Sequence, residues 1–292
     1  MMGHAFETVD VFTDRRFGGN PLAVFTDARG LSDAEMQSLA FEFNLSETSF
    51  ILPPQDPANT ARVRIFHRTA EMPFAGHPII GTAYVIARAG QHGDKLRLEV
   101  PAGIVDVDIE RDGSAVVGGR ITAPQPLSLG ATFSARTIAA CVGANADDVI
   151  VQAHQPIIAS VGVTFVFAEM KPEVLPRLAP DLSGFRAAVE GHSALAERFS
   201  LFVYARDGND VRARMFAPLA GTYEDPATGS AAATLAALLL HVRGGAAIAF
   251  SIRQGEAVNR PSILSVTAHR DPDGIRATVA GRCVPVLRGE TQ

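Results

Sequence analysis

Short runs rich in Val, Ile and Phe, bounded by Gly, Pro, Asn or Asp, recur at residues 9–12, 22–25, 49–52 and 63–66 and read as strands. Between them Ser32 and Glu35 form a capping box that opens an apolar-periodic run through Met36, Leu39, Ala40 and Phe43, predicting a helix that ends near Asn44. A second helix, rich in small residues, is expected over 77–88, followed by strands at 96–100, 104–109 and 115–117. Pro124 and Pro126 then remove two backbone donors in close succession and mark 123–127 as a linker. A second mixed set follows. Helices are expected at 135–141, 182–189 and 229–242, and strands at 161–167, 201–205, 211–216, 247–252, 263–267 and 275–279.

A length of 292 residues agrees with two domains of roughly 100 to 150 residues each. The chain is 47% hydrophobic and 20% charged with a net charge of -5, so no basic excess points to nucleic acid. The most apolar window, 231–240, is about half of the roughly 20 residues a membrane helix needs, and reads as a buried helix. Cys141 and Cys283 lie far apart and form no C-x-x-C pair, which speaks against a disulfide framework or a zinc ribbon and for a reducing, cytoplasmic setting. The N-terminal residues turn acidic at Glu7 and lack the basic start and apolar run of a signal peptide.

The periodicity conceals an internal echo. Glu71-Met72-Pro73-Phe74-Ala75-Gly76-His77 and Glu224-Asp225-Pro226-Ala227-Thr228-Gly229-Ser230 both read E-x-P-x-x-G-[HS], at an offset of 153 residues, and each precedes a helix of small and apolar residues. That offset is about half the chain and exceeds the roughly 20 to 50 residues of solenoid repeats, so duplication of a whole domain explains it better. A helix start presents unpaired N–H groups and the positive end of the dipole, which suits an anion. If the halves pack about a pseudo-twofold axis, Gly76-His77 and Gly229-Ser230 are expected to face one cleft and hold a carboxylate. The plainer reading is a pair of glycine turns entering helices.

Other sites fit these residues poorly. Gly76 to Gly81 has the glycine spacing of a P-loop, but Thr82 and Ala83 stand where Lys and Ser or Thr are required. The segment around Ser230 lacks the glycines of a nucleophile elbow, and His67 and His77 form no metal-binding pair. No metal or cofactor is therefore expected. Arg62, Arg64, Arg68, Arg212 and Arg214 alternate with apolar residues, so most should point away from a core face, although one of them could counter a substrate carboxylate.

The chain resembles the PhzF-like phenazine-biosynthesis isomerases, which share the diaminopimelate epimerase fold, over nearly its whole length. The resemblance rests on Val9 to Thr13 with Gly18-Gly19-Asn20-Pro21-Leu22, on Asn44-Leu45-Ser46-Glu47-Thr48, on Arg68 through Pro78, and on Glu224 through Ala231. It implies an α+β fold of two pseudo-symmetric mixed α/β domains, each with a sheet wrapped around a central helix. Residues 1–122, completed by a C-terminal strand at about 280–292, would form the first, and residues 128–279 the second. It further implies that Glu47 is the general acid/base, assisted by His77, Asp225 and Ser230, while Gly76, Gly229, Asn20 and Ser46 help bind a small carboxylated substrate. It allows a homodimer. One departure concerns the family's Q-G-x-x-x-G-R-P-S motif, where Asn259 replaces the second Gly; Asn tolerates a left-handed backbone, so the turn is expected to survive. The other is that His77 and Ser230 occupy the positions at which the epimerases carry two catalytic cysteines.

Moving a proton between carbons needs a base that retains it, shielded from water. A buried carboxylate such as Glu47, its affinity for protons raised by burial and by an acid such as Asp225, suits that task. The competing assignments are an amino-acid racemase without paired cysteines and a non-catalytic binding protein that kept the fold. Ser230 is also open to a simple role as a helix N-cap.

Overall fold

The computed structural model describes residues 3–90, 93–190, 195, 199–208 and 210–292; Met1 and Met2 lie outside them. The chain divides into two compact units, one running to Thr122 and including Ala280–Gln292, the other Ala123–Val279.

The first unit contains β1 (Ala5–Val11), β2 (Asn20–Phe25), α1 (Asp33–Phe43), β3 (Glu47–Leu52), β4 (Ala61–His67), β5 (Glu71–Met72), α2 (Gly76–Arg88), β6 (Lys95–Val100), β7 (Gly103–Asp112) and β8 (Ala115–Thr122). β2 runs parallel to β3, β3 antiparallel to β4, β4 parallel to β6, and β6 to β8 form an antiparallel meander. The central helix is α2, whose residues from Gly76 to Ala87 are all buried against β1, β2, β3, β7 and β8. Apolar residues all round a helix are what such a position demands. Gly81 is where the packing is closest, since a Cβ there would lie 2.6 Å from Leu22 and 2.8 Å from Val11. On the other face α1 packs against β3 and β4 through Met36 and Ala40, in a cluster with Phe25, Phe50 and Phe66. Its Ser32–Glu35 capping box forms as expected, and Asn44 ends it in a left-handed conformation.

The second unit contains β9 (Ser128–Thr132), α3 (Ala135–Val142), β10 (Val149–Ile150), β11 (Ile157–Ser160), β12 (Thr164–Met170), α4 (Leu182–Val189), β13 (Leu201–Asp207), β14 (Asp210–Ala217), β15 (Thr222–Asp225), α5 (Gly229–Arg243), β16 (Ala247–Gln254), β17 (Ser262–Asp271) and the first part of β18 (Gly274–Glu290). β12 is parallel to β13, β13 antiparallel to β14, β14 parallel to β16, and β16 antiparallel to β17. This order repeats that of β2, β3, β4, β6 and β7. The buried helix here is α5, packed on β11, β12, β16 and β17. α3 and α4 close a separate core with Phe185 and Phe199.

Three expectations change. The strand expected over 161–167 starts only at Thr164, because residues 161–163, with Gly162 at φ 141°, turn the chain between β11 and β12. The proline-flanked segment 123–127 is not free chain: the Ala123 and Leu127 N–H groups donate to the Ala277 and Ile275 carbonyls, using the donors that flank the prolines. The strand expected at 275–279 and the C-terminal strand expected at about 280–292 are one continuous strand, whose residues Cys283 to Glu290 pair antiparallel with β1.

Candidate active site

Two sets of side chains gather at the starts of the buried helices. In the first unit Glu47 opens β3, in register with Leu22 on one side and His67 on the other. His77 is the second residue of α2, and its Nδ1 lies 3.4 Å from the Glu47 carboxylate. Both side chains are largely buried, at 14% and 7% exposure. Burial pushes the His77 pKa down to about 3, against an opposing hydrogen bond to the Pro21 carbonyl. The ring is therefore neutral at physiological pH, and its contact with Glu47 is a carboxylate beside an imidazole rather than an ion pair. The ring's Nε2 is buried without a protein hydrogen-bond partner among the described residues.

Asn20 starts β2 and is 1% exposed; the Ser46 hydroxyl donates to its Oδ1 at 3.2 Å, tying the entry of β3 to that of β2. The preceding turn passes through Phe17 and Gly19 with positive φ, and the Phe17 N–H donates to the buried Asp10 carboxylate at 2.7 Å. Gly19 is required there, because at φ 62° a Cβ would sit 2.2 Å from the Val11 carbonyl oxygen. Gly76, also named from the sequence, is the first residue of α2.

In the second unit Asp225 ends β15 and is buried. The Thr228 hydroxyl lies 2.6 Å from its Oδ2, and Gln254 bridges the same loop: its Nε2 donates to the Asp225 carbonyl (2.8 Å) and to Thr228 Oγ1 (3.0 Å), while its Oε1 accepts from the Thr228 N–H (3.1 Å). Gly229 and Ser230 begin α5. Ser230 is not the N-cap; Thr228 holds that position and directs its hydroxyl to Asp225 instead of to the helix. Asn259 adopts φ 58°, so the turn survives the exchange of the second glycine, and Gly255 (φ 79°) lets that turn approach the Pro226 carbonyl.

Arginine supports the two repeated glutamates. Arg64 binds Glu71 through two hydrogen bonds of 2.7 and 2.6 Å, and Arg214 binds Glu224 through two of 2.9 and 2.6 Å. Each guanidinium also lies over a phenylalanine, Phe66 or Phe216, at 5.0 and 4.9 Å. The expectation that most of the strand arginines point away from a core fails for Arg214, which is 8% exposed and donates to the Leu175 and Leu178 carbonyls. Its sequence signal was a second echo, R-x-R-x-F at 62–66 and again at 212–216. Gln254 and Thr228 carried no such signal, because their partnership spans 26 residues.

Cys141 and Cys283 are both buried, and burial pushes the Cys141 thiol up to about 12 and that of Cys283 higher than its usual value. Neither is poised as a proton carrier. Among the described residues no three His, Cys, Asp or Glu side chains group as a metal site, and no helix is long and apolar enough to cross a membrane.

A profile of the phenazine biosynthesis-like family PhzC-PhzF matches residues 9–289. The chain belongs to the phenazine biosynthesis-like family. Similar proteins include an uncharacterized isomerase of Mesorhizobium japonicum, 38% identical over 96% of each chain, and a trans-2,3-dihydro-3-hydroxyanthranilate isomerase of Pseudomonas chlororaphis, 33% identical over 98% of each. A PhzF-family structure from Bacillus anthracis superposes over the full length of both chains with a TM-score of 0.89 at 24% identity, which speaks for the fold. The α+β, diaminopimelate epimerase-like architecture and the isomerase class thus stand for this PhzF-family chain.

Proposed function

We propose that this chain catalyses a proton shift on a small carboxylated molecule without a cofactor, with Glu47 as the general acid/base. The observation that carries the reading is the Glu47 carboxylate, nearly dry and 3.4 Å from a neutral His77 at the start of a buried helix. A base in this setting can take a proton from carbon and hold it, because little water reaches it to exchange the proton away. A neutral imidazole adds no positive charge that would hold the Glu47 carboxyl ionised. Asp225 and Ser230 are the second unit's contributions to proton delivery and substrate holding; Gly76, Gly229, Asn20 and Ser46 bind and orient. The named activity of the Pseudomonas relative makes a dihydro-hydroxyanthranilate-type carboxylate the first substrate to try.

The test is solvent exchange. Incubated in D2O with such carboxylates, the protein is expected to place deuterium on substrate carbon, and Glu47→Gln to lose that exchange. No incorporation into any of them, or undiminished exchange in Glu47→Gln, would sink the reading. The same reading carries a cytoplasmic location and a homodimer, checked by cell fractionation and by light scattering coupled to gel filtration.

A further inference from the structure

Two turns built on one pattern differ in polarity at two places, and a neighbouring strand adds a third. Glu71 and Glu224 begin them and Gly76 and Gly229 end them, so Met72 corresponds to Asp225 and Ala75 to Thr228. The strand register supplies the third pair: Arg62 lies opposite Glu99 in β6 and Arg212 opposite Arg253 in β16, so the next residues, Val100 and Gln254, correspond. Where the second unit has Asp225, Thr228 and Gln254 in mutual hydrogen bonds, the first has Met72, Ala75 and Val100. The same strand, turn and helix form in both, and Ala75 caps α2 with no side-chain hydrogen bond. The fold therefore does not require the polar trio. Burying three polar groups is unfavourable unless they satisfy one another, which they do here.

The direction of each hydrogen bond is fixed by the backbone. The Thr228 N–H can only donate, so the end of Gln254 facing it is the oxygen; the Asp225 carbonyl can only accept, so the other end is the NH2. That NH2 donates to Thr228 Oγ1, which leaves the hydroxyl proton for Asp225 Oδ2 at 2.6 Å. We propose that Gln254 and Thr228 are positioning residues for Asp225: the glutamine fixes the rotor of the threonine hydroxyl, and the hydroxyl, donating to Oδ2, holds the carboxylate in one orientation. The C-terminal Gln254-Gly255 motif then acts on the reaction through Asp225, with Gly255 allowing the close approach to Pro226. This inference rests on the reading of Asp225 as a contributor to proton transfer.

Glu224 and Arg214 bind each other, Arg253 binds Asp210, and α5 carries no charged or titratable side chain before His241.

The deciding experiment follows the Asp225 carboxyl in the full chain labelled with 13C at aspartate Cγ, its signal assigned by its loss in Asp225→Asn. Losing an O–H donor favours the protonated acid, so in Thr228→Val the signal is expected to titrate at higher pH than in the unaltered chain. Thr228→Ser should restore the original titration, and Gln254→Leu should move it in the same direction as Thr228→Val by less. On whichever substrate the deuterium assay finds, Thr228→Val should lower kcat about tenfold, with KM little changed, as expected for the loss of one hydrogen bond to a charged group. If Thr228→Val does not fold, Thr228→Ala, the residue found at position 75, takes its place. An unchanged Asp225 titration in the valine or alanine variant, or a serine variant that behaves like valine, overturns the proposal. Failure to find a substrate would count against the proposed function alone, since the carboxyl titration needs no turnover.

Discussion

The two helix starts were built on one pattern and have kept different chemistry. At the first, Glu47 and His77 form a buried carboxylate and imidazole in contact. The register places Phe50 opposite Arg64 and Val203 opposite Arg214, so the second unit has Ser200 where Glu47 stands, and Ser230 where His77 stands. At the second start, Asp225, Thr228 and Gln254 are linked, and the first unit answers with Met72, Ala75 and Val100. Each unit holds one polar set and has an apolar or hydroxyl residue in place of the other. On the proposed function, the repeated glycine turn is the shared frame and the residues differing between the copies supply the chemistry.

The largest expected effect separates Glu47 from its counterpart. Glu47→Gln should lower turnover by about a thousandfold, within the range general acid/base catalysis supplies, whereas Ser200→Ala should stay within about twofold of the unaltered protein. Equal losses in the two variants, measured as initial rates on one substrate, would break the assignment of proton transfer to the first unit's carboxylate.

Next in size is a stability contrast between the arginine–glutamate pairs. Glu224 is 3% exposed and Glu71 31%, so Arg214→Met leaves an uncompensated buried charge and Arg64→Met does not. Arg214→Met is expected to cost about 3 to 5 kcal/mol in urea unfolding, and Arg64→Met about 1 kcal/mol. Similar costs at both sites would mean that the two turns are braced alike despite their different burial.

Much of this was legible in the chain because it is local. The Ser32–Glu35 capping box, the left-handed stop at Asn44 and the apolar composition of α2 and α5 each depend on residues within one or two turns of each other. The echo around Gly76 and Gly229 was legible because its spacing had not drifted. Short strands such as Glu71–Met72, Val149–Ile150 and Thr222–Asp225 carry too few residues to show an alternation, and they form because β4, β12 and β14 offer unpaired edges. The burial of Arg214 depends on carbonyls at 175 and 178, and the tie between Gln254 and Thr228 on strand register. Neither dependence can be seen in a window of sequence. Glu47 stood out only through resemblance, since nothing in its own neighbourhood distinguishes it from a strand-edge glutamate.

The smallest effect tests whether the first set is as dry as its geometry indicates. In the folded chain His77 is neutral until pH falls to about 3, whereas in the unfolded chain it takes up a proton near its usual pKa of about 6.5. Below that value the unfolded state binds more protons, so stability must fall as pH drops, and the loss from this group approaches about 1.4 kcal/mol for each pH unit between 6.5 and 3. His77→Gln removes the titrating ring, so the stability difference between the unaltered chain and His77→Gln should shrink between pH 7 and pH 5 by about 2 kcal/mol in denaturant unfolding. The second unit offers the internal control: Ser230 does not titrate, so Ser230→Ala should shift the curve equally at both pH values. A pH-independent difference for His77→Gln would mean that the ring titrates in the fold as it does in the unfolded chain, and a difference that grows toward pH 5 that the ring keeps its proton, paired with Glu47 as an ion pair. The chemistry of the first helix start would then be that of a fixed salt bridge, and the case for a carboxylate free to take a proton from carbon would go with it.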